Sequence, residues 1–182
     1  MSYVRKTEKR VLVVKQNHIK ELAITGLCIA LVFVATMFIN IRLPIGQGGL
    51  IHLGNVPLFL AAIIFGRRVG ALSGAIGMGL FDLTGGWTPW APATFIIVGL
   101  MGYLVGVIAE KKDNTVGYLL AILVACVVKV VGYYIAEGLI YGNWVAPALS
   151  IPGNLIQIGV AAVVVLPIAG MLKKTLKKRA SV

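Results

Sequence analysis

Charge is scarce in this chain. Of 182 residues only 13% are charged, six are Asp or Glu, two are His and two are Cys. A soluble domain carries about 25% charged residues and about 45–50% apolar ones, whereas here 59% are hydrophobic. A core of this size could not hide that much apolar surface from water, so an ordinary soluble globule is excluded and the lipid bilayer has to serve as part of the solvent. The same composition excludes a disordered or collagen-like chain. Two cysteines cannot build a disulfide scaffold. Cys28 and Cys126 lie in long apolar runs and read as small buried hydrophobes. Enzyme signatures are missing too: there is no G-x-x-x-x-G-K-[ST] phosphate loop, no H-E-x-x-H metal helix and no G-x-S-x-G nucleophile elbow. The chain therefore holds no ATP-binding loop of its own, and it is read as a non-enzyme that needs no cofactor or metal.

What is present is a formal charge of +11, and the position of the cations matters more than their number. Arg5, Lys6, Lys9, Arg10, Lys15 and Lys20 precede the first apolar run, and Lys173, Lys174, Lys177, Lys178 and Arg179 end the chain. Arg67 and Arg68, and Lys111 and Lys112, form short caps between apolar stretches. Nucleic-acid binding calls for a basic face interleaved with aromatics, which this pattern lacks. Membrane spans flanked by cations fit it instead.

A helix needs about 20 apolar residues to cross the bilayer core, with about 17 to 25 tolerated. Six segments can be drawn: about Glu21 to Asn40, Ile51 to Phe65, Val69 to Gly85, Ala91 to Ala109, Val116 to Ile140 and Pro152 to Leu172. The second and third are short and interrupted by Gly or Pro, a pattern that tilts a helix or lines a cavity. Six spans put the N-terminus, the 67–68 turn, the 110–113 turn and the C-terminus on one side, which then collects 15 of the 17 Lys and Arg residues. Positive charge is retained in the cytoplasm, so both termini are expected there. The sequence thus predicts an all-α integral membrane domain over 18–174. A basic cytoplasmic segment over 1–17, with no apolar core of a cleavable signal, precedes it, and a basic tail over 175–182 follows. Small residues recur at successive turns of the third span (Gly70, Ser73, Gly74, Gly77, Gly79), where close packing within the chain is the preferred reading. Ala23, Gly26 and Ala30 share one face of the first span. By composition, packing within the chain is favoured over a docking face for another membrane protein.

Ionisable groups at membrane depth each cost about 2.5–3.5 kcal/mol on insertion scales, so each is a functional hypothesis. Asp82 falls near the outer end of the third span. Lys129, Tyr133 and Glu137 follow one another at four-residue steps and form a stripe on the fifth. Lys129 and Glu137 stand about 12 Å apart along the axis, too far to pair directly, although Asp82 or a carbonyl could satisfy either. The sixth span opens with Asn154 and Gln157, amides that offer both donors and acceptors. All of these groups converge on the outer half. Above them stand Trp87, Trp90 and Trp144, each readable as an interfacial anchor, and the two beside Asp82, Trp87 and Trp90, can equally form a stacking wall for a planar ring. The loop 41–50 contains Gly46, Gly48 and Gly49 and suits a lid over a polar pocket. His52 follows it, and a lone histidine is more often a hydrogen-bonded bystander than a metal ligand. A captured ligand and an internal structural ion pair remain the two readings of the buried charges. A stand-alone facilitator needs a polar path to the other side, which the apolar inner halves of the first, fourth and sixth spans do not offer. An intramembrane enzyme would use Asp82 or Glu137 as acid or base but lacks a paired nucleophile or metal set.

Several stretches, in order, resemble a known family: IHLGNVPLFLAAIIFGRRVGALSGA at 51–75, FDL at 81–83, WAPAT at 90–94 and PGNLIQ at 152–157. With the length and the six spans, the chain is similar over nearly its whole extent to the substrate-binding S components of energy-coupling factor (ECF) vitamin transporters. The resemblance implies a vitamin or precursor bound at the outer side, and partnership with a membrane T subunit and two cytoplasmic ATPases that supply the missing ATP loop. By position it assigns the pocket to Gly49, His52, Asp82, Trp87, Tyr133, Glu137, Asn154 and Gln157, to which the polar stripe adds Lys129. It also implies that the small residues of the first span, Gly26 and Ala30 with Ala23, meet the T subunit. Overall similarity is greatest to the branch that takes hydroxymethylpyrimidine or vitamin B6 compounds; riboflavin, thiamine, pantothenate and folate are the alternatives.

Overall fold

The computed structural model describes the backbone of residues 2–42 and 50–180, and the side chains of residues 18–40 and 51–175. Six helices run in order: α1 (Ser2–Phe38), α2 (Asn55–Phe65), α3 (Arg67–Thr84), α4 (Ala91–Lys111), α5 (Thr115–Tyr141) and α6 (Ile151–Ala180). Single turns of 3-10 helix at Thr88–Trp90 and Ala146–Ser150 precede α4 and α6. Among the described residues, four stretches are long and apolar enough to cross a membrane: His18–Phe38, Thr88–Lys111, Thr115–Tyr141 and Ala146–Thr175. α2, at 11 residues, is only about 16 Å long, half the thickness of a bilayer core.

The sequence-based elements differ from these in two places. The helical conformation of α1 continues back to Ser2 instead of beginning near Glu21, because Lys, Arg and Glu are good helix formers and nothing in 2–20 breaks a helix. The chain is also not purely helical. β1 (Asn40–Arg42) pairs antiparallel with β2 (Leu50–His52), in register Asn40↔His52 and Arg42↔Leu50, at the base of the Gly-rich loop.

Gly66 alone joins α2 to α3, with φ +90°, a left-handed value that glycine adopts without penalty. A Cβ on Gly70 would meet Ala62, and one on Gly74 would meet Leu58. Each contact pairs positions equidistant from Gly66, so α2 and α3 form a tight antiparallel helical hairpin with Gly66 at its tip. The Glu110 carboxylate, near the end of α4, accepts a hydrogen bond from the Arg67 amide at 3.0 Å, so the tip lies beside the α4–α5 turn. At that turn Asn114 caps α5 by accepting from Gly117 N at 2.8 Å. Lys173, late in α6, pairs with Asp113 at 2.9 Å. The 67–68 turn, the 110–113 turn and the later part of α6 therefore gather at one end of the bundle. Thr36, late in α1, stands instead against Gly54 at the start of α2, at the other end.

Close approach holds α3 at the centre. Besides Ala62, a Cβ on Gly70 would strike the Gly102 carbonyl of α4, and one on Gly77 would strike Val32 of α1. The small stripe of the third span is thus spent on packing within the chain. The core it permits includes Val32, Leu58, Phe59, Met78, Val98, Met101, Val105, Ile122 and Val165. Large apolar side chains such as Leu22, Ile96, Val127 and Val163 face outward, as a lipid-solvated bundle requires.

Candidate functional site

At the end of the bundle opposite Gly66, the side chains of His52, Asp82, Trp87, Trp90, Thr94, Lys129, Tyr133, Glu137, Asn154 and Gln157 surround a cavity of about 60 Å³. Eight of the nine residues expected from the sequence are among them. The ninth, Gly49, lies outside the described residues. Six elements contribute: β2 supplies His52, α3 Asp82, the turn before α4 both tryptophans, α4 Thr94, α5 the Lys129–Tyr133–Glu137 stripe and α6 the two amides.

The polar groups are buried and linked across elements. Lys129, 1% exposed, donates from Nζ to Oε1 of Gln157 at 2.9 Å and lies 5.7 Å from the centre of the Tyr133 ring. Glu137 does not pair with it. Its Oε2 accepts from the Ser150 hydroxyl at 2.5 Å, and the Trp90 side chain supplies a further hydrogen bond. Asp82 is hydrogen-bonded by Thr94, whose hydroxyl stands 3.0 Å from the Tyr133 phenol. Because an ionised carboxylate only accepts, Thr94 donates to Asp82 and Tyr133 donates to Thr94. The two carboxylates are thus each held by hydroxyl or indole donors, while the ammonium is held by an amide oxygen. Such an arrangement satisfies part of each group and leaves capacity for donors and acceptors of a guest.

His52 is oriented by its own turn: Nδ1 accepts from Gly54 N at 3.2 Å, which leaves Nε2 as the protonated nitrogen of the neutral ring. Burial, and secondarily the Lys129 charge, push its pKa well below 6.5, so the ring is neutral at physiological pH. Trp87 and Trp90 meet edge-on with ring centres 5.3 Å apart, and Trp90 meets Tyr141 at 5.9 Å, forming an aromatic wall. Trp144 is not part of it. It packs on Gly138, and its carbonyl accepts from the Tyr134 hydroxyl at 2.8 Å.

Trp90, which the sequence allows as an interfacial anchor or as a stacking wall, lines the cavity, whereas nothing in the sequence singles out Thr94, Ser150 or Asn55. Thr94 sits in the WAPAT stretch, but a single hydroxyl in a helix gives little signal by itself. The expected packing of the α1 small residues within the chain is corrected: Ala23, Gly26 and Ala30 are exposed, and a Cβ on Gly26 would meet nothing within 4 Å. Ile24, Thr25, Cys28 and Val32 face inward instead, because residues three and four apart share one helix face and these lie away from the small residues.

This fold and pocket define a membrane-embedded binding protein, and comparison with known proteins gives its class. The family described as "ECF-type riboflavin transporter, S component" matches residues 16–174. The thiamine precursor transporter HmpT of Lactococcus lactis subsp. cremoris is 31% identical over 159 residues, covering 87% of this chain and 91% of that protein. An uncharacterized protein of Pyrococcus woesei is 34% identical over 148 residues, covering 81% and 95%. A solved structure described as the S component of a bacterial ECF transporter superposes with a TM-score of 0.71 at 24% identity, covering 89% of this chain and 99% of that one, and so shares the fold. The chain belongs to the ECF-type transporter S-component family. It is a multi-pass protein of the cell membrane, and its family is one of transporter subunits, not of enzymes. S components of this kind bind a vitamin substrate and associate with T and ATPase modules.

Proposed function

We propose that this chain captures a small, hydroxylated nitrogen heterocycle at the cavity between β2, α3, α5 and α6, with hydroxymethylpyrimidine or a vitamin B6 compound as cargo. His52, Asp82, Trp87, Lys129, Tyr133, Glu137, Asn154 and Gln157 contact it, and Gly49 joins them from the first outer loop. The observation that carries this reading is the chemistry of the cavity: two carboxylates and one ammonium, each only partly satisfied by neighbours, beside an aromatic wall. Two carboxylates against one ammonium favour a ligand rich in N–H and O–H donors, and the indoles favour a planar ring. The named likeness to a thiamine precursor transporter points the same way.

In this reading six helical segments span the membrane, with both termini, the 67–68 turn and the 110–113 turn in the cytoplasm. The basic segment 1–17 and the tail 175–182 flank the membrane domain 18–174. Support comes from the clustering of the basic turns at one end of the bundle. The exposed Ala23, Gly26 and Ala30 face meets a membrane T subunit, to which two cytoplasmic ATPases attach. Calorimetric titration of the purified chain with hydroxymethylpyrimidine, pyridoxine and riboflavin tests the cargo. Tight binding of either small ring with none of riboflavin is expected, and the reverse order rejects the assignment.

A further inference from the structure

An ammonium group has donors only, so the Gln157 atom that faces Lys129 at 2.9 Å is the carboxamide oxygen and not the nitrogen. A second donor reaches the same oxygen. Nδ2 of Asn55, the first residue of α2, stands 3.4 Å from it. Asn55 is fully buried and does not line the cavity. Its own Oδ1 finds no hydrogen-bond partner among the described residues.

That last fact is informative. A buried amide oxygen without a partner carries a desolvation penalty, which a leucine of similar size would avoid. The other buried positions of α2 are filled by Leu58, Phe59, Ala61, Ala62 and Ile63. Asn55 is thus the polar exception on an otherwise apolar inner face, and its amide nitrogen is directed at one side chain of the cavity. We propose that Asn55 is a positioning residue for the binding site, acting through Gln157. With Lys129 it makes a two-donor clamp on the Gln157 oxygen, fixing the rotation of that carboxamide and, through it, the placement of the Lys129 ammonium. The proposal rests on the cavity being the cargo site. It adds a residue behind the cavity on which recognition depends.

A double-mutant cycle tests it, using the full chain in detergent and calorimetric titration with hydroxymethylpyrimidine and pyridoxine as probes. Loss of one neutral hydrogen bond behind the site is expected to weaken binding of Asn55→Ala about 3- to 10-fold. In a Gln157→Ala background the same substitution is expected to change affinity less than about 2-fold, because the side chain through which it acts is gone. A merely structural role would give the same loss in both backgrounds, and that result overturns the proposal, as does wild-type affinity in Asn55→Ala. Asn55→Asp, which keeps the shape but replaces the donor by an acceptor facing the Gln157 oxygen, is expected to bind at least as weakly as Asn55→Ala. If wild type binds neither probe, the cargo assignment fails separately, and the cycle is read with whichever of riboflavin, thiamine, pantothenate or folate wild type binds. Binding of none of them overturns both.

Discussion

The Ser150 hydroxyl donates to Oε2 of Glu137 at 2.5 Å, tying the 3-10 turn ahead of α6 to the outer third of α5. The bond occupies one carboxylate oxygen of a group that lines the cavity. Glu137→Gln keeps the size and removes the charge. A hydrogen bond to a charged group contributes about 1.5–3 kcal/mol, so cargo affinity is expected to fall roughly 10- to 100-fold while the folded yield stays near wild type. Ser150→Ala releases the carboxylate and is expected to have a smaller effect. Titration of both variants with hydroxymethylpyrimidine checks this, and wild-type affinity in Glu137→Gln would remove Glu137 from the site.

Asn154 presents its amide to the same cavity from the first turn of α6 but makes no part of the Lys129–Gln157 link. Asn154→Ala is therefore expected to weaken binding about 3- to 10-fold, the loss of one neutral hydrogen bond, without lowering the thermal midpoint in detergent. A large fall in that midpoint with unchanged affinity would assign the residue to the fold instead.

Gly70 sets the distance among α2, α3 and α4. A Cβ there would lie 2.5 Å from Cβ of Ala62 and 2.8 Å from the Gly102 carbonyl oxygen, and neither helix can retreat without opening the hairpin. Gly70→Val is expected to destabilise by about 1–3 kcal/mol or more, the range for forced overpacking, seen as a lower thermal midpoint and reduced yield. Gly26→Val, on the exposed face of α1, serves as the control and is expected to leave the midpoint nearly unchanged.

These residues show which parts of the molecule could be read before the structure. Asp82, Lys129 and Glu137 were legible because a charge inside an apolar run has a large cost and few explanations. The glycines of α3 were legible because four small residues at successive turns have one dominant use. Thr94, Ser150 and Asn55 were not, since a hydroxyl or amide in a helix is cheap when it bonds locally, and only the three-dimensional neighbour distinguishes Ser150 from Thr84, which bonds the Leu80 carbonyl of its own helix. Strands β1 and β2 are three residues each, too short for alternation to register. Composition alone did not identify the outward face of α1, because small residues serve contacts within a chain and between chains equally well, and only the family resemblance pointed to it.

His52 gives a pH signature with a definite sign. Its Nδ1 must be unprotonated to accept from Gly54, and its folded pKa lies well below the ordinary 6.5. The unfolded chain therefore takes up a proton near pH 6.5 that the folded chain still refuses. The stabilisation is fully present above that pH and is lost as pH falls toward the folded pKa. The thermal midpoint is expected to drop between about pH 7 and pH 5. His52→Asn, which keeps an acceptor for Gly54 and cannot titrate, should flatten the part of the slope due to this ring. Equal slopes in the two proteins would show that other groups cause the loss.

Ala30 separates binding from assembly. It lies on the exposed face of α1 with Ala23 and Gly26, whereas every residue lining the cavity comes from β2, α3, the turn before α4, α4, α5 or α6. A bulky side chain there cannot reach the cargo but would hold a partner helix away from the α1 backbone, where close approach is what small residues permit. Ala30→Trp is expected to bind hydroxymethylpyrimidine as wild type does, yet to recover much less of the T and ATPase subunits on co-purification and to support little ATP-dependent uptake in liposomes. Full recovery and full uptake by this variant would place the docking surface on another helix. Loss of cargo binding would instead show that α1 shapes the cavity from outside.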